Sequence, residues 1–174
     1  MISKNNVRDF APQSLIAHLC RKLADLPEIE RDIRIDECLK FLFLASVRSK
    51  TSQDTYAVVS QSIDDVWHEC ILQTREYALL CERLPAQCFV HHSSSAEGYR
   101  GHVLTRGAHA AADEHVWWLE NYYAHFGDLT AAAAKHWSGV TFLMDTFDLS
   151  IDDINRIASG EVVQKSVTAS FQRA

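Results

Sequence analysis

Across residues 60–84 apolar side chains recur at helical spacing: Ile63, Trp67, Cys70, Ile71, Thr74, Ala78 and Cys81, ended by Pro85. A stripe of that period can be buried only if the segment is an α-helix laid against other helices. It therefore constrains the fold more than any other feature of the chain. Ser60 or Ser62 can cap this helix, and Ser62 with Asp65 has the spacing of a capping box. Six glycines and three prolines in 174 residues, with few alternating windows, extend the helical reading to the whole chain.

A first helix is predicted over 12–25, with Leu15, Leu19, Leu23 and Leu26 on one face and Pro12 in its first turn. A second is predicted over 28–48, deepest between Cys38 and Ala45, where the sequence is apolar nearly all round. KTSQDTYAVVSQ reads as a connection into the third helix. After Pro85, QCFVHHSSSAEGYRGHV reads as irregular or briefly extended, with Gly98 and Gly101 in turns. A fourth helix is predicted from His109 to His125, stopped by Gly127. AAAAKHW suits a fifth, and Ser150, Asp153 and Gly160 frame a sixth. The expectation is an all-α, single-domain bundle of five or six helices over 1–160, with an irregular His-containing segment after the third helix and a disordered tail at 161–174.

Charge and composition remove several function classes. The net charge of −6 and the scattered Lys and Arg residues argue against a nucleic-acid surface, which would show as a basic patch. The longest apolar run, Phe41 to Val47, falls far short of the roughly 20 residues that a membrane span needs. The first residues lack the apolar core of a signal peptide. Five cysteines without a CxxC pair fit reduced thiols, and the expected location is cytoplasmic.

The residues able to carry chemistry gather between Asp64 and His92. On one helix Asp64 and His68 stand about 40° apart and one turn along. At that spacing two side chains can share a metal ion, or a carboxylate can fix a histidine tautomer. Asp64 in the first turn also suits the helix dipole, so a purely structural pair fits the same spacing. His92 extends the cluster if the chain returns along the helix. On a continuous helix His68 lies about 24 Å behind Leu84, and eight extended residues span roughly 26–29 Å. The return must then run nearly straight. His91, His109 and Asp113 are weaker candidates for the same site, with His102 and His115 nearby.

Thirteen residues along one helix would put Cys81 about 20 Å from His68 and about 140° around, which suits core packing and not ligation. Trp67 and Tyr77 read as core residues, and Trp117, Trp118, Tyr122 and Tyr123 as an aromatic packing face. No nucleophile elbow, phosphate loop, dinucleotide fingerprint or HExxH helix is present.

VSQSIDDVWHECILQTREYALLCERL followed by FVHHSS resembles the signature of the glycine-rich-domain-containing-protein-like family. The matching positions are Asp64, Trp67, His68, Thr74, Tyr77, Cys81 and His92. ECLKFLFLA is similar to that family's preceding helix, and Tyr122, Phe126, Gly127 and Trp137 to its closing elements. The pattern departs at Val59, where the family has a proline, and at His115 and Trp118, and there is no glycine-rich tail. The resemblance covers residues 35–137 and implies an all-helical domain without a defined biochemical role.

Three readings follow. In the first, Asp64, His68 and His92 ligate zinc or another divalent transition metal, since mixed N and O donors suit zinc. In the second, the same residues form a hydrogen-bonded network in a protein-interaction or adaptor domain with an unknown protein partner. In the third, an open metal position supports hydrolysis, with Glu69 or Asp65 as the base.

Overall fold

The computed structural model describes residues 6–49, 59–92 and 108–161, the side chains of 108–113 excepted. Among the described residues there are eight α-helices and no strand. They are α1 (Gln13–Lys22), α2 (Glu28–Ser49), α3 (Gln61–Leu72), α4 (Thr74–Arg83), α5 (Ala108–Phe126), α6 (Ala131–Ala134), α7 (Ser138–Phe147) and α8 (Ile151–Ala158). The architecture is all-α, as expected, with more helices than the sequence pattern suggests. The described residues fall into two compact units, one within 6–92 and the other within 108–161. The KTSQDTYAVVSQ connection up to residue 58, the turns at Gly98 and Gly101, and the tail from 162 lie outside the described residues.

In the first unit α2 is the central element. Cys38, Leu39 and Phe41–Ala45 are all buried, because this half of the helix carries apolar side chains on every face. Glu37 is buried with them and receives the Lys40 ammonium at 2.7 Å, which satisfies the charge. α1 lays Leu15 and Leu19 into the same core and ends earlier than expected, at Lys22. A short 3-10 helix, Val7–Phe10, packs on α2 through Arg8, which pairs with Asp36 and Asp32, and through Phe10 against Phe43.

The predicted third helix is two helices. Gln73 takes φ −90° and ψ 64°, its N–H bonds back to Cys70, and a new helix starts at Thr74. Each half buries its own stripe: Ile63, Val66, Trp67 and Cys70 on α3, then Tyr77, Leu80 and Cys81 on α4. Ile71, Thr74 and Ala78, expected inside, are not buried. The Ser62–Asp65 capping box is not formed either. Ser60 Oγ lies 2.8 Å from Ser62 Oγ, and Asp65 accepts instead from Gln61.

The second unit packs α5 against α7 and α8. Its core is aromatic as the sequence suggests: Trp118, Tyr122, Phe126 and Trp137 meet at centroid distances of 5.4–6.2 Å. Tyr123 stays partly exposed. Gly127 (φ 83°) ends α5, and the Ser150–Asp153 capping box of α8 is complete.

α7 was not expected, and Gly139 explains how it fits. A Cβ at that position would stand 2.5 Å from Nδ1 of the buried His115 ring on α5. Glycine is thus required by close approach, although alanine is the better helix former. Gly139→Ala should lower stability by about 1–3 kcal/mol in urea denaturation, as overpacking does. A stabilised variant would show that His115 moves freely.

Candidate metal centre

The site begins with how α4 ends. Pro85 cannot continue the helix ladder, and Gln87 adopts a left-handed φ of 53° that reverses the chain. The turn is tied to α2, because the buried Ser46 Oγ accepts the Ala86 N–H at 2.8 Å. From there residues 88–92 run back without regular structure. Side chains along such a segment alternate sides, so Val90 and His92 face inward while His91 faces solvent.

Asp64 receives the returning histidine. His92 Nε2 lies 3.1 Å from Asp64 Oδ1, and His68 Nδ1 lies 3.4 Å from Asp64 Oδ2. One carboxylate thus faces two imidazoles, one oxygen for each. The two rings are 4.5 Å apart by centroid. One ligand atom from each of Asp64, His68 and His92 can be chosen so that all lie within 4.8 Å of one another. His92 and Asp64 are largely covered, whereas the His68 side chain is 50% exposed and opens the cluster to solvent.

Aromatic side chains wall the inner side. Trp67 stands edge-on to His92 (4.5 Å) and to Phe41 (5.2 Å). Its indole N–H donates to Tyr77 Oη at 2.9 Å, and Tyr77 in turn donates to the Val90 carbonyl at 2.6 Å. Burial pushes the Tyr77 phenol far above its usual range, so it remains a proton donor. Cys81 is pushed up by burial, against an opposing hydrogen bond from the Val90 backbone.

Structure and expectation meet at three residues and part at others. Asp64, His68 and His92 come together. His91 does not join them; it is exposed and packs on Phe89. His102 and the side chains of His109 and Asp113 lie outside the described residues. His115 is buried beside Phe142 in the second unit. Cys81 is a core residue as expected, but the reasoning from one straight helix fails at the Gln73 break. Glu69 and Asp65, the candidate bases, are both engaged. Glu69 faces α1, 3.2 Å from His18 Nε2 and 3.4 Å from Lys22 Nζ, and the His18 contact, with help from Lys22, holds its carboxyl below the usual range.

Sequence reasoning missed the buried thiol pair behind the site. Cys38 on α2 is hydrogen-bonded to Cys70 on α3; that bond and burial push its thiol well above the usual range. The pairing of two helices is what brings these residues together, and no short spacing announces it. Cys38 and Cys81, held protonated, are poor nucleophiles, and Cys70 is shielded by burial. A small alkylating reagent should therefore modify exposed Cys88 first and the half-buried Cys20 more slowly, sparing Cys38, Cys70 and Cys81 until the protein unfolds. Mass spectrometry of the timed reaction checks this, and early modification of Cys70 would contradict the packing.

No helix among the described residues is long and apolar enough to cross a membrane. No curated protein and no solved structure matches the chain. A family model does, over residues 4–112, a span that holds the whole Asp64–His92 signature. Its description names no activity, and it does not confirm the glycine-rich-domain-containing-protein-like name that the signature resembles. Because the match takes in more than half of the 174 residues, the chain belongs to the UCP032817-like family.

Proposed function

We propose that this protein is a helical metal-binding module in which Asp64, His68 and His92 hold one divalent transition ion of the zinc type. The carrying observation is the convergence of one carboxylate and two imidazoles drawn from α3 and from the returning segment. Bonds of about 2.0–2.2 Å in a tetrahedral site place donor atoms roughly 3.3–3.6 Å apart. The two Asp64 contacts, 3.1 and 3.4 Å, use different carboxylate oxygens, and one ligand atom from each residue lies within 4.8 Å of the others, so modest side-chain rotation would close the set to that range. The mixed N and O donor set suits zinc, and the exposed side of His68 leaves room for a further ligand or water.

A second reading rests on the same contacts. At 3.1 Å the Asp64–His92 contact is also an ordinary hydrogen bond. An interaction domain stabilised by this network, with an unknown protein partner, would need no ion. A metal-dependent hydrolase draws less support, because Glu69 is committed to α1 and Asp65 to Gln61. Kinship with the glycine-rich-domain-containing-protein-like family and a cytoplasmic location also belong to the proposal. The unpaired state of all five cysteines supports a reducing compartment.

Calorimetric titration of chelator-stripped protein with Zn²⁺ separates the two readings. The metal reading expects saturation at one ion per chain; absence of binding would leave the network.

A further inference from the structure

The segment that carries His92 has no regular structure of its own, yet its histidine must meet Asp64 to within a few tenths of an ångström. We propose that Tyr77 is the positioning residue for His92, and that with Cys81 it clamps the Val90 backbone and thereby sets the affinity of the Asp64–His68–His92 cluster for its ion. This rests on the metal reading above.

At the start of the segment Ser46 Oγ holds the Ala86 N–H, and Ser49 Oγ stands 3.6 Å from Cys88 Sγ. Beyond that, the Tyr77 hydroxyl donates to the Val90 carbonyl at 2.6 Å, and the Cys81 sulfur takes the hydrogen bond of the Val90 backbone N–H. Tyr77 and Cys81 are four residues apart on α4, so they present neighbouring groups from one helix face and take both backbone polar groups of a single residue, Val90. The Val90 side chain is buried beside them. Two residues on, alternation returns His92 to the inward side, against Asp64.

The hydroxyl is itself held. Trp67 Nε1 donates to it at 2.9 Å, and the same indole ring stands against the His92 imidazole. Trp67, Tyr77, Val90 and His92 therefore close a ring of contacts around the site. Phe89, although partly exposed, packs edge-on against the Tyr77 ring at 5.1 Å, a contact that phenylalanine at 77 would keep, while His91 is exposed beside it. Removing the hydroxyl should let the segment drift while leaving the aromatic packing in place. This also accounts for the spacing of the signature: Asp64 and His68 ligate, Trp67 and Tyr77 relay, Cys81 and Tyr77 clamp, and His92 is what they deliver.

The test compares wild type with Tyr77→Phe, measuring Zn²⁺ affinity by competition with a chromophoric chelator and the His92 ring resonances in metal-free protein. Groups that orient ligands typically change affinity by about 10–100-fold when removed. Tyr77→Phe should bind Zn²⁺ that much more weakly and show displaced His92 resonances, while Leu15→Val, a core change on α1, should leave both within about twofold or unmoved. Unchanged affinity in Tyr77→Phe would overturn the clamp. If wild type takes up no Zn²⁺, the metal reading falls and the resonances decide alone: displaced supports positioning of His92, unmoved overturns it. Should Tyr77→Phe fail to fold, Cys81→Ala and Cys81→Ser replace it. Serine keeps an acceptor for the Val90 N–H and should retain affinity, alanine should lose it, and equal affinities would overturn the proposal.

Discussion

Trp67→Ala should cost about 3–5 kcal/mol of stability, the loss seen when a large buried aromatic is truncated in a core. Three contacts combine at this residue. The ring is 5% exposed, packs edge-on against Phe41 of α2, and covers the inner face of the His92 imidazole. Its N–H is one of two hydrogen bonds fixing the Tyr77 hydroxyl. Alanine therefore opens a cavity between α2 and α3 and loosens the returning segment at once. Trp67→Phe separates the two effects. It restores most of the apolar area but not the donor, so its loss should be nearer 1–2 kcal/mol, the size of one buried hydrogen bond with modest repacking. Urea denaturation of both variants gives the comparison. Equal losses would mean that the indole hydrogen bond outweighs the packing that phenylalanine restores.

Asp64→Ala has the largest expected effect on the site. Among the described residues Asp64 is the carboxylate that faces both histidines, so its removal takes away an anionic ligand and the acceptor that the two imidazoles share. Zn²⁺ binding should fall by at least about a thousandfold, beyond the 10–100-fold typical of groups that only orient a ligand. His92→Ala should act similarly, whereas His91→Ala, one residue away on the solvent side, should bind as wild type does. Under the network reading Asp64→Ala and His92→Ala would lower stability without any change in metal stoichiometry. Titration calorimetry of the three variants, with thermal melts, distinguishes these outcomes. Loss of binding in His91→Ala would place the site on the wrong side of the segment.

The same residues show what a sequence alone can and cannot reveal. Burial of the Cys38–Ala45 half of α2 is written in composition, since no face of it is polar enough to meet water. The capping box at Ser150 and Asp153 and the stop at Gly127 are local chemistry, and they stand where short-range rules put them. The break at Gln73 is different. No glycine or proline marks it, and the buried positions on either side keep a helical spacing of 63, 66, 67, 70 and then 77, 80, 81. Periodicity cannot register a change of direction that leaves the period intact.

α7 was hidden for the opposite reason. Its sequence SGVTFLMDTF is rich in β-branched and aromatic residues and contains a glycine, all weak helix formers. Packing of Val140 and Leu143 against neighbouring helices overrides that propensity. At the site, the Asp64–His68 pair followed from spacing, and His92 from the length of chain available to return. The reach was possible, but the reason for it lies in the turn at Gln87 and in anchors on Ser46, Tyr77 and Cys81. The Tyr77 and Ser46 anchors join residues 13 and 40 positions apart, and no local pattern encodes them.

The central claim is that Asp64, His68 and His92 together hold one ion. Zinc-edge X-ray absorption of protein loaded with one equivalent of Zn²⁺ tests it most directly. The spectrum should fit nitrogen and oxygen donors alone, at about 2.0–2.2 Å, with the outer-shell scattering of two imidazoles. A sulfur shell at about 2.3 Å would move the site to the cysteines, and failure to retain any zinc would leave a hydrogen-bonded cluster in its place.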